Sequence, residues 1–395
     1  MQAVPSDRHP ALFSAGRDSN ESSRRGRALL VGALIFALAG VAKNRWDATE
    51  VSARRTLIIA RFAAASPVAA PALENPPLPS RLSETGLYLP GSTTEIDPQN
   101  RFYVPQYPLW TDGATKRRYV RLPPGRKIEA SNPDSWEVPV GTRFWKEFSF
   151  SGKPVETRTI ERLPDGSFRY ATYVWDAARG DAFLASERGV RGAAATDSGV
   201  EHDVPSELDC RACHEGRPGR VLGFNALQLS SERDPLSASR EPAPPGALDF
   251  DELSRRGWLA NLPSSALERA PRIVAASAKG RAALGYLYGN CAHCHNPAGP
   301  LAEVDLDLDQ AAFDPDGEGR TLASVASRPS HFRVPGDPDP MRVRPGRPEA
   351  SALFFRLTSR DPSAQMPPLG SKLVDPAGVA LVRAWISSVK HRPRE

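Results

Sequence analysis

Alternating hydrophobic and polar residues dominate the region from about residue 85 to residue 200. Aromatic and β-branched residues are concentrated there, as in half-buried strands. The segments are "RYVRL" (118–122), "RFWKEFSF" (143–150), "VETRTIERL" (155–163) and "SFRYATYVW" (167–175). The last three are separated by Ser-Gly-Lys (151–153) and Pro-Asp-Gly (164–166), which have the composition of hairpin turns. The pattern predicts an antiparallel meander that is part of a β-sandwich.

Helical patterns prevail in the second half of the chain. Residues 201–235 show little periodicity, and a short helix is predicted next, at 249–262. Further helices are predicted at 272–290, 349–359 and 376–389. The last of these carries one apolar face, formed by Val379, Val382, Trp385, Ile386 and Val389.

One apolar run differs from all these elements. Residues 28–42, "ALLVGALIFALAGVA", carry no charge and follow Arg24, Arg25 and Arg27. A basic stretch, an apolar stretch and a small-x-small ending form the pattern of a secretory signal. A spanning helix needs roughly 20 apolar residues, so this run is short for a permanent anchor. The sequence predicts export and leaves open whether the segment is cleaved or retained as a signal anchor. A buried helix of the globular body is the competing interpretation.

The distribution of charge argues against a nucleic-acid partner. Residues 1–61 hold ten basic and five acidic side chains, which accounts for the whole formal net charge of +5. The remaining residues carry 41 basic and 41 acidic side chains. The body of the protein is therefore neutral and lacks the basic bias that binding to phosphates requires.

The four cysteines form two copies of one motif. Cys210 and Cys213 precede His214 in "CRACH", and Cys291 and Cys294 precede His295 in "CAHCH". Cys-x-x-Cys-His is the attachment signal for c-type haem. Two thiols at this spacing can both bond to one porphyrin, and the next residue can bring its imidazole to the iron. Since the motifs use every cysteine of a chain with an export signal, they predict two covalent haems, with the two histidines as iron ligands.

Other uses of four thiols are weaker interpretations. A single zinc site or an iron–sulfur site made from both pairs would not require a histidine after each pair. A disulfide would be ordinary in an exported protein, but it too leaves the repeated histidine unexplained.

Met366 is the candidate for the far side of the second iron. It lies in "QMPPLG", 71 residues beyond His295, in a chain with only three methionines. A thioether binds haem iron and raises its reduction potential. The two following prolines restrict the backbone that would hold the sulfur. The competing interpretation is a methionine that fills the core.

The order of helix, "CAHCH", loop, "QMPPLG" and C-terminal amphipathic helix resembles a class I cytochrome c domain. The resemblance implies that the first and last helices pack crosswise. It also implies that His295 and Met366 are the axial ligands, that Pro297 or Pro300 orients the histidine, and that His293 is not a ligand. The arrangement over about 85–395 resembles exported bacterial dihaem c-type cytochromes.

The expected fold is therefore multidomain, with an N-terminal mainly-β, sandwich-like domain followed by an all-α class I cytochrome c domain. The chain divides by expectation into a signal peptide or anchor, an Ala/Pro-rich linker, a strand-rich domain, a first haem-binding segment and the cytochrome domain. Their bounds are 1–42, 43–84, 85–200, 201–270 and 271–395.

The first haem has no obvious second ligand. No Met-Pro element follows His214 before the next domain begins. The weaker candidates are His202, His331 and Met341, and each is equally well explained as a loop residue. An open position would allow the iron to bind peroxide or small gases.

The sequence favours a periplasmic protein that exchanges single electrons with unidentified redox partner proteins. It predicts an electron carrier rather than an enzyme. It would contact a membrane only if the N-terminal segment is an uncleaved anchor. The alternative is a peroxidase-like enzyme in which the first haem is catalytic and the second relays electrons. A third interpretation makes the strand region a binding module, which exposed aromatic residues within 100–176 would support.

Overall fold

A computed structural model describes residues 75–390. The predicted export segment at 28–42 and most of the predicted linker at 43–84 lie outside the described residues. The described residues belong to one compact unit, Arg55–Glu395. None of the helices within 75–390 is long and apolar enough to cross a membrane.

One antiparallel sheet of six strands forms the centre of the fold. Its strand order is β1-β2-β4-β5-β6-β7. Two short ladders accompany it, β8 with β9 and β3 with β10. The strands are β1 (Arg101–Phe102), β2 (Thr115–Arg121), β3 (Ile128–Glu129), β4 (Arg143–Phe150), β5 (Lys153–Arg162), β6 (Phe168–Asp176), β7 (Asp181–Leu184), β8 (Val190–Ala195), β9 (Glu201–Val204) and β10 (Leu259–Ala260).

The predicted meander is confirmed. Strands β4, β5 and β6 follow one another with antiparallel pairing, and each lies within two residues of its predicted bounds. The β4–β5 turn needs the left-handed backbone that its residues tolerate, since Ser151 and Gly152 have φ of 47° and 73°. Gly166, with φ of 83°, does the same between β5 and β6.

Six α-helices lie within the described residues. They are α1 (Glu207–His214), α2 (Phe250–Arg255), α3 (Ala278–Asn290), α4 (Gly317–Val325), α5 (Ala352–Thr358) and α6 (Pro376–Ser388). Single 3₁₀ turns occur at Leu82–Glu84, Ser264–Leu267, Ala302–Val304 and Pro348–Ala350. Four of these helices match predicted ones, whereas α1 and α4 were not predicted.

The helix ends follow local sequence signals. Helix α3 begins later than predicted because Ser277 accepts a hydrogen bond from the backbone of Gly280 and caps it. Asp375 caps α6 in the same way. Helix α2 ends before the predicted residue 262, because Gly257 adopts a φ of 63° and the chain then enters β10.

The two faces of the sheet are covered by different parts of the chain. Residues from 82 to 102 pack with Tyr119, Trp145 and Tyr173 on one face. The opposite face, here called the inner face, contributes Val120 and Phe144 to the main core. That core also contains Leu284 of α3 and Trp385 of α6, so strands and C-terminal helices share it.

The expected fold class is therefore wrong. Within 75–390 the only other sheets are the two-stranded ladders, which do not form the second layer of a sandwich; the N-terminal segment and the helices cover the two faces of the six-stranded sheet. The C-terminal part is not a separate all-α cytochrome c domain either. It forms one αβ body with the six-stranded sheet, since its helices share their core with Tyr103 and Tyr107, which lie between β1 and β2, and with Val120 of β2.

Close contacts show how tightly these parts are joined. A Cβ atom added to Gly285 would lie 2.1 Å from the Tyr107 ring, and one added to Gly289 would lie 2.4 Å from the Tyr107 carbonyl oxygen. The glycines thus let residue 107 lie directly on α3. Further along, the Asp112 carboxylate accepts hydrogen bonds from the backbone of Lys372 and Leu373, at 2.8–3.0 Å. The segment between β1 and β2 therefore positions both α3 and the loop after Met366.

Candidate functional site

The first Cys-x-x-Cys-His motif lies on helix α1. Ser206 begins this helix with a capping box, in which its hydroxyl accepts from the backbone of Asp209 and the Asp209 carboxylate accepts from the backbone of Ser206. The sequence contained this signal, but the lack of periodicity concealed a helix of only eight residues. The helix contains Cys210, Cys213 and His214. Because the two cysteines are three positions apart, their thiols share one helical face.

All four cysteine thiols are free. Burial raises the pKa of each to about 12, which keeps the sulfurs protonated at neutral pH. Burial is the main cause of the raised pKa of Cys213, and the second largest cause is Cys294 of the other motif. The two cysteine pairs are therefore neighbours in space, although they are about 80 residues apart in sequence.

His214 is oriented by two contacts. Its Nδ1 is 2.8 Å from the backbone carbonyl oxygen of Arg220, and because a carbonyl only accepts, Nδ1 carries the proton. Its ring lies against Tyr170 of β6, with 5.4 Å between the ring centres. Burial lowers the pKa of His214 to about 4, so the imidazole is neutral and its Nε2 lone pair is available to a metal.

The second motif follows helix α3 directly. Cys291 is the residue at the C-terminal end of the helix, and Cys294 and His295 lie in the turn beyond it, where both backbone N–H groups donate to the Cys291 carbonyl. Burial lowers the pKa of His295 to about 4. Its Nδ1 is buried without a hydrogen-bond partner in the described part of the chain, so neither Pro297 nor Pro300 accepts from it.

The two motifs touch through their backbones. The side chain of Asn296 donates a hydrogen bond of 3.1 Å to the carbonyl oxygen of Gly216. A Cβ atom on Gly216 would lie only 2.0 Å from the His293 carbonyl oxygen, so residue 216 must lack a side chain. Beside this contact, Arg217 forms an ion pair with Asp309 at 2.8 Å and lies over the Tyr288 ring. The segment just after His214 is thus fixed against residues on both sides of His295.

Met366 lies in the same part of the fold as the second motif. Its backbone N–H donates to the carbonyl oxygen of Arg356 on α5, at 2.9 Å. After burial, the Arg356 charge makes the largest contribution to the lowered pKa of His295. Arg356 therefore connects the methionine loop with the histidine of the motif. The peptide bond between Met366 and Pro367 is cis.

The three candidates for the first haem's second ligand occupy different environments. His202 is buried in β9, and its Nε2 is 2.8 Å from the Glu156 carboxylate. His331 is exposed, and Met341 pairs with the backbone at Pro329 and Ser351. His202 alone is linked to the first motif, through Glu156, whose charge contributes to the raised pKa of Cys210.

The described residues contain no group of three or more His, Cys, Asp and Glu side chains arranged to hold a metal ion. The four thiols are accordingly not arranged as one tetrahedral zinc site. A haem needs only one or two protein ligands, because the porphyrin supplies the other donors. Its requirements agree with the histidine that directly follows each cysteine pair, His214 and His295.

Sequence reasoning missed several charged residues on the inner face of the sheet. Lys146 and Arg158 are cross-strand partners on this face. Burial has the largest effect on the pKa of His214 and the Arg220 hydrogen bond the next largest, followed by the charges of Lys146 and Arg158. Burial alone would raise the pKa of Glu156, but the Arg158 charge and the His202 hydrogen bond lower it overall. The signal was available, since Lys146 alternates with Phe144 and Phe148 in β4 and must share their face.

The aromatic residues within 100–176 are buried or partly buried, and none is exposed. The condition that would have supported a binding module in the strand region is therefore not met. In comparisons with known proteins, no family model, no curated protein and no solved structure matches the chain. The chemistry of the site must come from the side chains described above.

Proposed function

We propose that the protein is an exported dihaem c-type cytochrome that carries single electrons between redox partner proteins. The observation that carries this proposal is the direct contact between the two Cys-x-x-Cys-His motifs, through Gly216, His293 and Asn296. A chain that holds two redox groups at touching attachment segments is suited to passing electrons rather than merely storing them.

The residues of each motif have defined roles in this proposal. Cys210 and Cys213 would hold one haem, and Cys291 and Cys294 the other. Each thiol would add across a vinyl group, with the sulfur bonded to one vinyl carbon and its proton to the other, so no oxidant or reductant would be consumed. His214 and His295 would bind the irons. When bound, the haems supply one-electron redox chemistry.

The side chains fit these roles. The thiols are free, as addition to a vinyl group requires. The proton of His214 is held on Nδ1 by Arg220, which leaves Nε2 for the iron. Met366 lies on the segment that hydrogen-bonds to α5, and as a thioether ligand it would favour the reduced form of the second haem.

The cellular location and the partners belong to the same proposal. Covalent haem attachment takes place outside the bacterial cytoplasm, which agrees with the export pattern at 28–42. We infer a periplasmic protein, either released or held by its N-terminal segment. The neutral charge balance beyond residue 61 offers no support for a nucleic-acid partner.

The haem content tests this proposal directly. The full chain, expressed with a cytochrome c maturation system, should give two haems per chain in a pyridine haemochrome assay and in its intact mass. Replacing Cys210 and Cys213 together by Ala should leave one haem, and so should replacing Cys291 and Cys294. A wild-type chain that carries no haem, or zinc in its place, would refute the proposal.

One observation favours the alternative of a haem enzyme. The Glu156 carboxylate and the His202 imidazole form a buried hydrogen-bonded pair whose Glu156 charge acts on Cys210, and a carboxylate and an imidazole are groups that can transfer protons in peroxide chemistry. An enzyme of this kind needs an open position on the first iron. Carbon monoxide added to the reduced protein should bind strongly in that case, whereas a carrier with two six-coordinate haems should respond weakly.

A further inference from the structure

A row of basic residues crosses the inner face of the sheet. Arg118 on β2, Lys146 on β4 and Arg158 on β5 are successive cross-strand partners, and partners in an antiparallel pair project from the same face. Lys116 lies on this face too, two residues before Arg118 along β2. Cations at the centre of a half-covered sheet require an explanation, because burying an unpaired charge is costly.

Three of the four cations have a carboxylate partner. Arg118 and Lys116 both form ion pairs with Glu241. Arg158 forms an ion pair with Glu156 at 2.5 Å. Within residues 75–390, the Lys146 ammonium has no hydrogen bond or ion pair, and its Nζ lies 4.8 Å from the centre of the Phe148 ring. Lys146 is thus the one member of the row that forms no ion pair.

Lys146 faces the first motif. The neighbouring cross-strand partners on the same face, two residues away along each strand, include Ile160 and Tyr170. The Tyr170 ring packs against His214. Strands are roughly 4.8 Å apart, so β4 lies about 10 Å across the sheet from β6 and the histidine. The four-carbon stem of Lys146, together with an iron atom bound between its Nζ and the His214 imidazole, can span this distance between β4 and the histidine.

We propose that Lys146 supplies the nitrogen ligand on the far side of the first haem, opposite His214. This inference rests on the proposed function, because it requires a haem at Cys210 and Cys213. It assigns the position for which the sequence offered only His202, His331 and Met341.

The electrostatic environment supports an amine ligand rather than a charged lysine. Burial lowers the pKa of Lys146 well below the usual range. The charges of Arg118, Lys116 and Arg158 lower it further, and the Glu241 charge offsets only part of the shift. A neutral amine has a free lone pair, which a metal can accept. The other candidates are less suitable, because Nε2 of His202 is engaged by Glu156 and His331 is exposed.

Electron paramagnetic resonance and near-infrared magnetic circular dichroism of the oxidised, full-length dihaem protein test the assignment. The wild type should contain two low-spin irons, one of them with the charge-transfer band of amine–imidazole ligation. In Lys146→Ala and Lys146→Arg, half of the iron should become high-spin, since arginine keeps the charge but does not coordinate. Lys153→Ala, an exposed lysine on the neighbouring strand, is the matched control and should resemble the wild type.

The variants separate the possible outcomes. If Lys146→Arg keeps both low-spin irons, the lysine acts only through its charge, and the ligand assignment is wrong. If His202→Gln converts half of the iron to high spin and Lys146→Ala does not, the ligand is His202. The haem count of every variant is measured alongside by intact mass, and a wild type without haem would overturn the proposed function itself. A Lys146→Ala chain that retains two haems shows that the loss of ligation is not a failure to fold.

Discussion

Replacing Gly216 by Ala should push the two motifs apart. The new Cβ would lie 2.0 Å from the His293 carbonyl oxygen and 3.2 Å from its carbonyl carbon. Ordinary contact begins near 3.4 Å, so one backbone segment must retreat by about 1.4 Å. Neither partner is a side chain that can rotate away, and the same movement strains the hydrogen bond from Asn296 to the residue-216 carbonyl.

The cost follows from these two effects. Overpacking of a buried contact destabilises a protein by roughly 1–3 kcal/mol, and a lost internal hydrogen bond adds about 1 kcal/mol. We expect Gly216→Ala to lower the free energy of unfolding by about 2–4 kcal/mol, measured as a lower midpoint in guanidinium chloride at an unchanged slope. Electron exchange between the two haems, followed by flash photolysis, should also slow because their attachment segments move apart.

Gly219→Ala is the matched control. This glycine lies in the same segment, and its added Cβ would be 3.3 Å from the nearest atom, the Cα of Ser135, so a shift of a few tenths of an ångström accommodates it. The control should lose much less stability. Equal midpoints for Gly216→Ala and the wild type would show that the motifs are not in contact.

Two further predictions concern ligation and pH. Met366→Ala should remove the sulfur–iron charge-transfer band and lower the reduction potential of one haem by a fraction of the roughly 0.8 V that axial ligands span. Met341→Ala is the control and should change neither the band nor the potential. A band that persists in Met366→Ala means that another sulfur is bound. Burial raises the pKa of Asp134 from 3.8 to about 6, so between pH 7 and pH 5 the folded protein takes up a proton that the unfolded chain does not. Lowering the pH over that range should therefore stabilise the wild type by about 1 kcal/mol relative to Asp134→Asn, in paired unfolding curves; parallel pH profiles would contradict this.

The local elements could be predicted because they depend on neighbouring residues. Alternation in "RFWKEFSF" and the glycine turns at 152 and 166 specify the meander, since a pleated strand directs every second side chain to one face. The apolar face that runs from Val379 to Val389 likewise indicates α6. The Cys-x-x-Cys-His motifs could also be identified, because the chemistry they predict is contained in five consecutive residues. What the sequence determined by itself was therefore most of the local elements and the two Cys-x-x-Cys-His motifs.

Tertiary structure decided what covers the sheet and what lies beside each donor. A strand pattern predicts a buried face without indicating its partner, so a sandwich was expected where the N-terminal segment and the helices share the burial. The contact of Gly216 with His293 joins residues almost 80 positions apart, and no periodicity encodes such a pair. Lys146 was visible as a lysine on a buried face, but only the fold brings that face to His214. Distant contacts depend on the whole chain finding one shared core, whereas strands, turns and motifs are local.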